Sequence, residues 1–164
     1  MNNLSPLLQL VDPALVRVQS DLSSAKKLLQ EMAQLLAQPL QPSTEENVEK
    51  SVYHSLLERE KLGNTGIGNG VALPHSRYSE TKRAILAIIT LKNPIDYDSA
   101  DGQAVDVAFG LLVPQEATQD HLNLLAEIAR FMSSNNSKEK LLSAETPIEV
   151  MALIEDWSES QVAQ

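Results

Sequence analysis

Apolar residues recur along the chain in two rhythms, and these divide it into helices and strands. After Ser23, the residues Ala25, Leu28, Leu29, Met32, Leu35 and Leu36 fall on the i, i+3, i+4, i+7 pattern of one helix face. Pro39 ends that helix, and "PLQPST" is its connector. Ser43, with Glu46 three positions on, predicts a capping box for a second helix. That helix turns Val48, Val52, Leu56 and Leu57 inward, with Gly63 as its expected C′ residue. "AILAIITL" (84–91) and "VDVAFGLLVP" (105–114) are nearly continuous apolar runs, the pattern of interior strands covered on both faces. Between them "KNPIDYDSADGQ" reads as turns, with Asp101-Gly102 the strongest signal.

A further helix is expected over 118–132, burying Leu122, Leu125, Ile128, Ala129 and Met132. "SSNNS" breaks it and "KEKLLSA" forms a short helix. Thr146-Pro147-Ile148-Glu149 then opens the last helix with an N-cap, a proline at N1 and a capping-box glutamate. "ALVRV" (14–18) predicts a short strand and "VALP" a short extended piece. Residues 1–12 read as a flexible start, 13–157 as the folded unit and 158–164 as a tail. Helices before, between and after the strands predict a single α/β domain with helices on both faces of its sheet.

Composition narrows this picture. A chain of 164 residues is long enough for one domain with a substantial core. Aromatic residues make up only 4%, so that core must be built mainly from Leu, Ile, Val, Ala and Met. The absence of cysteine excludes disulfides, thiol nucleophiles and cysteine-bound zinc. The start, "MNNLSPLLQLVDPALV", lacks a basic n-region and is broken by Pro6 and Pro13, unlike a secretory signal. No apolar run approaches the roughly 20 residues of a membrane span, so no membrane insertion and a cytoplasmic location are expected. A net charge of −9 argues against nucleic acid as a partner, because no basic stripe displaces counterions. It serves solubility or steers a basic protein partner.

The candidate chemistry lies in "LGNTGIGNGVALPHSR" (62–77). Gly63 and Gly68 have the separation of a nucleotide-binding loop, but Asn69 stands where its lysine belongs. A dinucleotide fingerprint from Gly66 would need glycine at Val71. The order is also reversed, since a helix leads into the loop and a strand follows it, which removes the helix N-terminus that would hold pyrophosphate. Gly66, Gly68 and Gly70 can still take positive φ and offer backbone N–H groups to an anion. Pro74 stiffens the backbone entering His75 at a strand end, where ligands of α/β sheets commonly bind. Taken alone, the loop fits equally a tight helix-to-strand turn beside an incidental histidine. Of the other histidines, His54 lies between inward residues of the second helix and is expected to face solvent. His121 sits in the first turn of its helix, where it can point into a cleft. A three-histidine metal site is not demanded by this spacing.

"LEREKLGNTGIGNGVALPHSR" closely resembles the active-site region of the IIA components of the bacterial phosphotransferase system, fructose/mannitol class. It is most similar to the nitrogen-regulatory IIA proteins, whose motif runs R-E-K-x-G-x-T-G-I-G-N-G-x-A-x-P-H. "PIDYDSADGQAVDVAFGLLVP" and "HLNLLAEIARFM" resemble the segments that follow in that family, and the likeness extends from about 16 to 156. The resemblance implies a central mixed β-sheet flanked by helices, and a histidine phosphorylated by the small phosphocarrier HPr or its paralogue. His75 matches the phosphorylated histidine, Arg59 the arginine that neutralises the phosphoryl group, and His121 a second histidine lining the site. Thr65, Gly66, Gly68, Asn69 and Gly70 match the motif loop and are expected to support the phosphate. Ser76 departs from the family's usual glycine, where a side chain could donate to phosphate or narrow the donor's approach.

The chemistry agrees, since neutral imidazole is a nucleophile near pH 7 and needs no metal or cofactor to accept phosphate. An arginine fork suits the charge that results. For Arg59 a surface salt bridge with neighbouring Glu58 or Glu60 is the plainer alternative. The implied role is a regulatory IIA protein acting on targets such as potassium transporters or sensor kinases. The alternatives are a sugar-transport IIA subunit passing phosphate to a IIB protein, and a binding module that is never phosphorylated.

Overall fold

In the computed structural model, residues 5–41, 47–116, 118–134 and 136–162 are described. The two long apolar runs form the centre of the sheet. β5 (Ile85–Ile95) and β6 (Val105–Val113) pair antiparallel, with Ile85 opposite Leu112 and Thr90 opposite Val107. β1 (Val16–Ser20) lies parallel to β5 on one side. On the other side of β6 run β3 (Val71–Ala72) and β4 (His75–Arg77), both parallel to it, and β2 (Gly66–Gly68) pairs antiparallel to β3. The sheet is therefore mixed, ordered β1-β5-β6-β3-β2 with β4 also on β6.

β3 and β4 are two halves of one path along β6, interrupted at Leu73-Pro74. Pro74 has no N–H to give, but its carbonyl accepts from Leu111 N–H at 3.0 Å, so the path continues into His75 in register.

Both faces of the sheet are covered, as the unbroken apolar runs require. Ile85, Ala87, Ile89 and Leu91 of β5 pack with α2 (Ala25–Ala37) and α3 (Val48–Leu62). Leu86 and Ile88 face the opposite layer with Phe109 and Leu111 of β6. That layer contains α1 (Pro6–Leu10), α4 (Gln119–Ser133), α5 (Ser137–Ser143) and α6 (Pro147–Val162). Both phenylalanines and the tryptophan meet there: Phe131 packs edge-on against Phe109 at 6.3 Å and against Trp157 at 5.4 Å, while the three tyrosines belong to the other layer. Among the described residues no helix is long and apolar enough to cross a membrane.

Several expectations shift in detail. Ala14 and Leu15 belong to a 3₁₀ turn, so the first strand starts at Val16. β5 continues through Asn93-Pro94 to Ile95, where turns were expected, with an irregular register between Thr90 and Ile95 accommodating the proline. The Ser43–Glu46 capping box lies outside the described residues, and α3 is instead capped by Asn47, whose side chain accepts from Lys50 N–H at 3.1 Å. Gly63 caps α3 with φ 167°, extended rather than left-handed.

The start read as flexible contains α1, whose Leu7 is fully buried and whose Leu7 N–H donates to the buried Glu127 carboxylate at 3.3 Å. The last helix likewise runs past residue 157 to Val162. α4 buries Leu124, Glu127, Ile128 and Phe131, so Leu122 is half exposed where burial was expected. The helical period was read correctly, but the apolar residues of α4 span more than one face, and only the neighbouring elements select which of them goes inward.

Candidate phosphoryl-accepting site

α3 delivers one wall of a cleft of about 620 Å³. Ser55, Glu58, Arg59 and Leu62 stand at i, i+3, i+4 and i+7 on one helix face, and all four line it. β4 contributes His75, Ser76 and Arg77, β6 contributes Leu111 and Val113, and the start of α4 contributes His121, Leu122 and Leu125. The rim exposes Leu62 and Leu122.

His75 is half-buried, and its Nδ1 lies 2.6 Å from the Leu73 carbonyl oxygen. A carbonyl only accepts, so the neutral ring carries its proton on Nδ1 and keeps the lone pair on Nε2. This is the role of Pro74 in local geometry: it holds Leu73 extended, so that the Leu73 carbonyl meets the ring two residues on. Burial lowers the His75 pKa below the ordinary 6.5. The Leu73 hydrogen bond opposes that shift, the Arg59 charge adds to it, and Glu60 opposes it more weakly.

His121 is arranged in the complementary way. Its Nδ1 accepts from Thr118 N–H at 3.0 Å, in a capping interaction at the start of α4. The neutral ring then carries its proton on Nε2, which makes that nitrogen a donor. Arg59 donates through Nη1 to the Gly63 carbonyl at 2.9 Å at the end of α3. The salt-bridge alternative for Arg59 is not what the structure contains: Glu58 pairs with Lys61 at 3.1 Å, and Glu60 accepts from Thr65 N–H at 3.1 Å and from the Thr65 hydroxyl. The rest of the Arg59 fork is left to the cleft.

The expected site residues thus divide. Arg59, His75, Ser76 and His121 meet on the cleft, whereas Thr65, Gly66, Gly68, Asn69 and Gly70 do not line it. Asn69 (φ 55°) and Gly70 (φ 78°) form the two-residue turn between β2 and β3, both left-handed, as an Asn-Gly hairpin requires. The Asn69 N–H donates to Asp101 at 3.1 Å, and the Asn69 carbonyl accepts from Lys138 at 2.7 Å. Lys138 is also 3.0 Å from Asp106. The Asn69 N–H is therefore used inside the fold. Thr65 shares the Glu60 carboxylate and approaches the Tyr97 hydroxyl at 3.2 Å, a buried structural link. His54 is exposed on the far side of α3's inward residues, and no group of three His, Asp or Glu among the described residues is placed to hold a metal.

Sequence reasoning missed Ser55, Arg77, Leu62 and Leu122. The first was findable, because Ser55 is four residues before Arg59 on the same helix face. Arg77 donates to the Gln115 carbonyl at 2.9 Å, a contact between distant segments.

The mixed sheet thus brings His75, with its Nε2 lone pair, into one cleft with Arg59 and His121. Residues 9–157 match the family described as phosphoenolpyruvate-dependent sugar phosphotransferase system, EIIA 2, and the chain belongs to that family. It is 37% identical over 153 residues to a nitrogen regulatory protein of Pseudomonas aeruginosa, covering 93% of this chain and 97% of that protein. The crystal structure of nitrogen regulatory protein IIA-Ntr from Neisseria meningitidis superposes with a TM-score of 0.82 at 33% identity, covering 92% of this chain and 99% of that one. The fold is also shared with the mannitol IIA enzyme of Escherichia coli in its complex with phosphorylated IIB, with a TM-score of 0.69 at 13% identity and coverage of 87% and 95%.

Proposed function

We propose that this protein is a phosphoryl-accepting regulatory IIA protein of a nitrogen-type phosphotransferase system, taking phosphate from an HPr-like phosphocarrier onto His75. The observation that carries the reading is the tautomer: Leu73 holds the Nδ1 proton and leaves the Nε2 lone pair in a cleft beside Arg59. Transfer then needs no proton movement on His75. The P–N bond to the donor histidine breaks as the N–P bond to Nε2 forms, and the donor ring, carrying a proton on its other nitrogen, keeps the bonding pair and leaves as a neutral imidazole. Nδ1–H stays on the Leu73 carbonyl and steadies the charge the ring acquires.

Arg59 supplies a fixed cation for the phosphoryl oxygens and His121 Nε2–H a directed donor. Positioning and charge stabilisation are the main demands of such a step. The exposed Leu62 and Leu122 at the rim suit coverage by a protein donor, which excludes water from the transferring group. The names of the relatives at 33–37% identity support a regulatory output; the proposal places it in the cytoplasm, on protein targets such as potassium transporters or sensor kinases.

The test is incubation with the first enzyme of the system, its phosphocarrier and phosphoenolpyruvate. Acid-labile phosphate is expected on the wild type and none on His75→Ala. A wild type that stays unlabelled leaves a binding module instead. Label that drains to a IIB protein and onward to a sugar assigns the chain to transport.

A further inference from the structure

The cleft holds a pair of hydroxyls that the transfer described above does not use. Ser55 of α3 and Ser76 of β4 are hydrogen-bonded to one another, and both line the cleft with His75. Each also lies within reach of the same carbonyl: Ser76 Oγ is 3.0 Å and Ser55 Oγ 3.2 Å from the Arg77 oxygen. Two hydroxyls carry two protons, and the three contacts would need three. One proton occupies the Ser55–Ser76 contact, so only one reaches the Arg77 carbonyl at any time. In the arrangement where Ser55 donates to Ser76, the Ser76 proton rests on a neutral carbonyl and can turn elsewhere without breaking the pair.

The place it can turn to is set by the helix. Ser55 precedes Arg59 by four residues, so the two residues stand about 6 Å apart along the helix axis on the same face, and both line the cleft. Ser76 follows His75 directly.

Resting on the phosphocarrier reading, we propose that Ser76 donates to a phosphoryl oxygen on His75, and that Ser55 positions it by donating to Ser76. A charged phosphoryl oxygen is a stronger acceptor than the Arg77 carbonyl, so the proton moves to it when the group arrives. The chain Ser55 O–H to Ser76 O–H to phosphoryl oxygen is polarised along its length, which strengthens the terminal bond. Ser76 is half-buried, which limits competition from water. In this chain the residue after the nucleophilic histidine thus supplies a side-chain donor where the family's usual glycine has none.

The experiment measures kcat/KM for phosphoryl acceptance from the phosphorylated carrier, and the hydrolysis rate of the phosphohistidine formed. Variants are Ser76→Ala, Ser76→Gly, Ser76→Thr, Ser55→Ala and the Ser55→Ala/Ser76→Ala pair, each checked for folding by circular dichroism. Ser76→Ala and Ser76→Gly are expected to lose about 10-fold in kcat/KM, the scale of one hydrogen bond to a charged group. Ser76→Thr should retain the wild-type rate. Ser55→Ala should lose less than Ser76→Ala, and adding it to Ser76→Ala should cost nothing further, because Ser55 acts only through Ser76. Unchanged kinetics in both Ser76→Ala and Ser76→Gly, or independent multiplying losses in the pair, would overturn the chain while leaving His75 as acceptor. A wild type that acquires no phosphate at His75 removes the phosphocarrier reading and this proposal together.

Discussion

His75 and His121 are the same residue type made into opposite tools by single backbone contacts. A carbonyl at Nδ1 leaves the first ring its lone pair on Nε2, and an N–H at Nδ1 leaves the second its proton on Nε2. Burial of His75 has a consequence for pH. Its folded pKa lies below 6.5, so the ring stays neutral, with its lone pair available, as pH falls toward that value. Phosphoryl acceptance should therefore hold from pH 8 down to about 6.5 and fail only below it, as the ring protonates. Arg59→Ala should slow acceptance on the order of 10²-fold. The same substitution should move the His75 midpoint upward, since the Arg59 charge lowers it. A pH–rate profile together with an NMR titration of the His75 ring checks both. An acceptance midpoint above 6.5 in the wild type would contradict the role given to burial.

At the scale of elements, the glycine-rich motif works as a hairpin that terminates the sheet and aligns β3 with β6 so that β4 arrives in register. Gly70 shows why no larger residue serves. Its φ is 78°, and an added Cβ would overlap the Lys138 ammonium and lie 3.1 Å from the Ala104 carbonyl. Gly70→Ala is expected to cost about 1–3 kcal/mol through left-handed strain and crowding. Urea unfolding should show the loss, while folded variant protein accepts phosphate at a near wild-type rate. A large drop in the rate with unchanged stability would instead make the loop part of the phosphate site.

Over the whole molecule, the layer of α1, α4, α5 and α6 shares one core, and α4 at its edge also lines the cleft. α4 carries His121 at its start and is held near its middle by Glu127, which accepts from Leu7 N–H of α1. The α1 segment is therefore packed into the fold. Leu7 is fully buried, and Leu7→Ala should lower stability by about 2–5 kcal/mol. A shift in the midpoint of thermal or urea unfolding measures it. No shift would mean that α1 docks without contributing to the core.

Periodicity and punctuation in the sequence determined the longer helices, the two central strands and the presence of helices on both faces, but not α1, β2 or β4. Those features follow from local propensity and from how much apolar surface each segment must hide. The motif ending in Pro74-His75 was legible because its spacing and order are continuous along the chain. What only the tertiary structure decided depends on segments far apart in sequence. The burial face of α4 is chosen by the layer it packs in, the Asn69 hydrogen bonds by Asp101 and Lys138, and the meeting of Ser55 with Ser76 by the docking of β4 beside α3. A residue's type limits what it can donate or accept. Which partner it finds is set by packing, and at His75 and His121 the partner decided the chemistry.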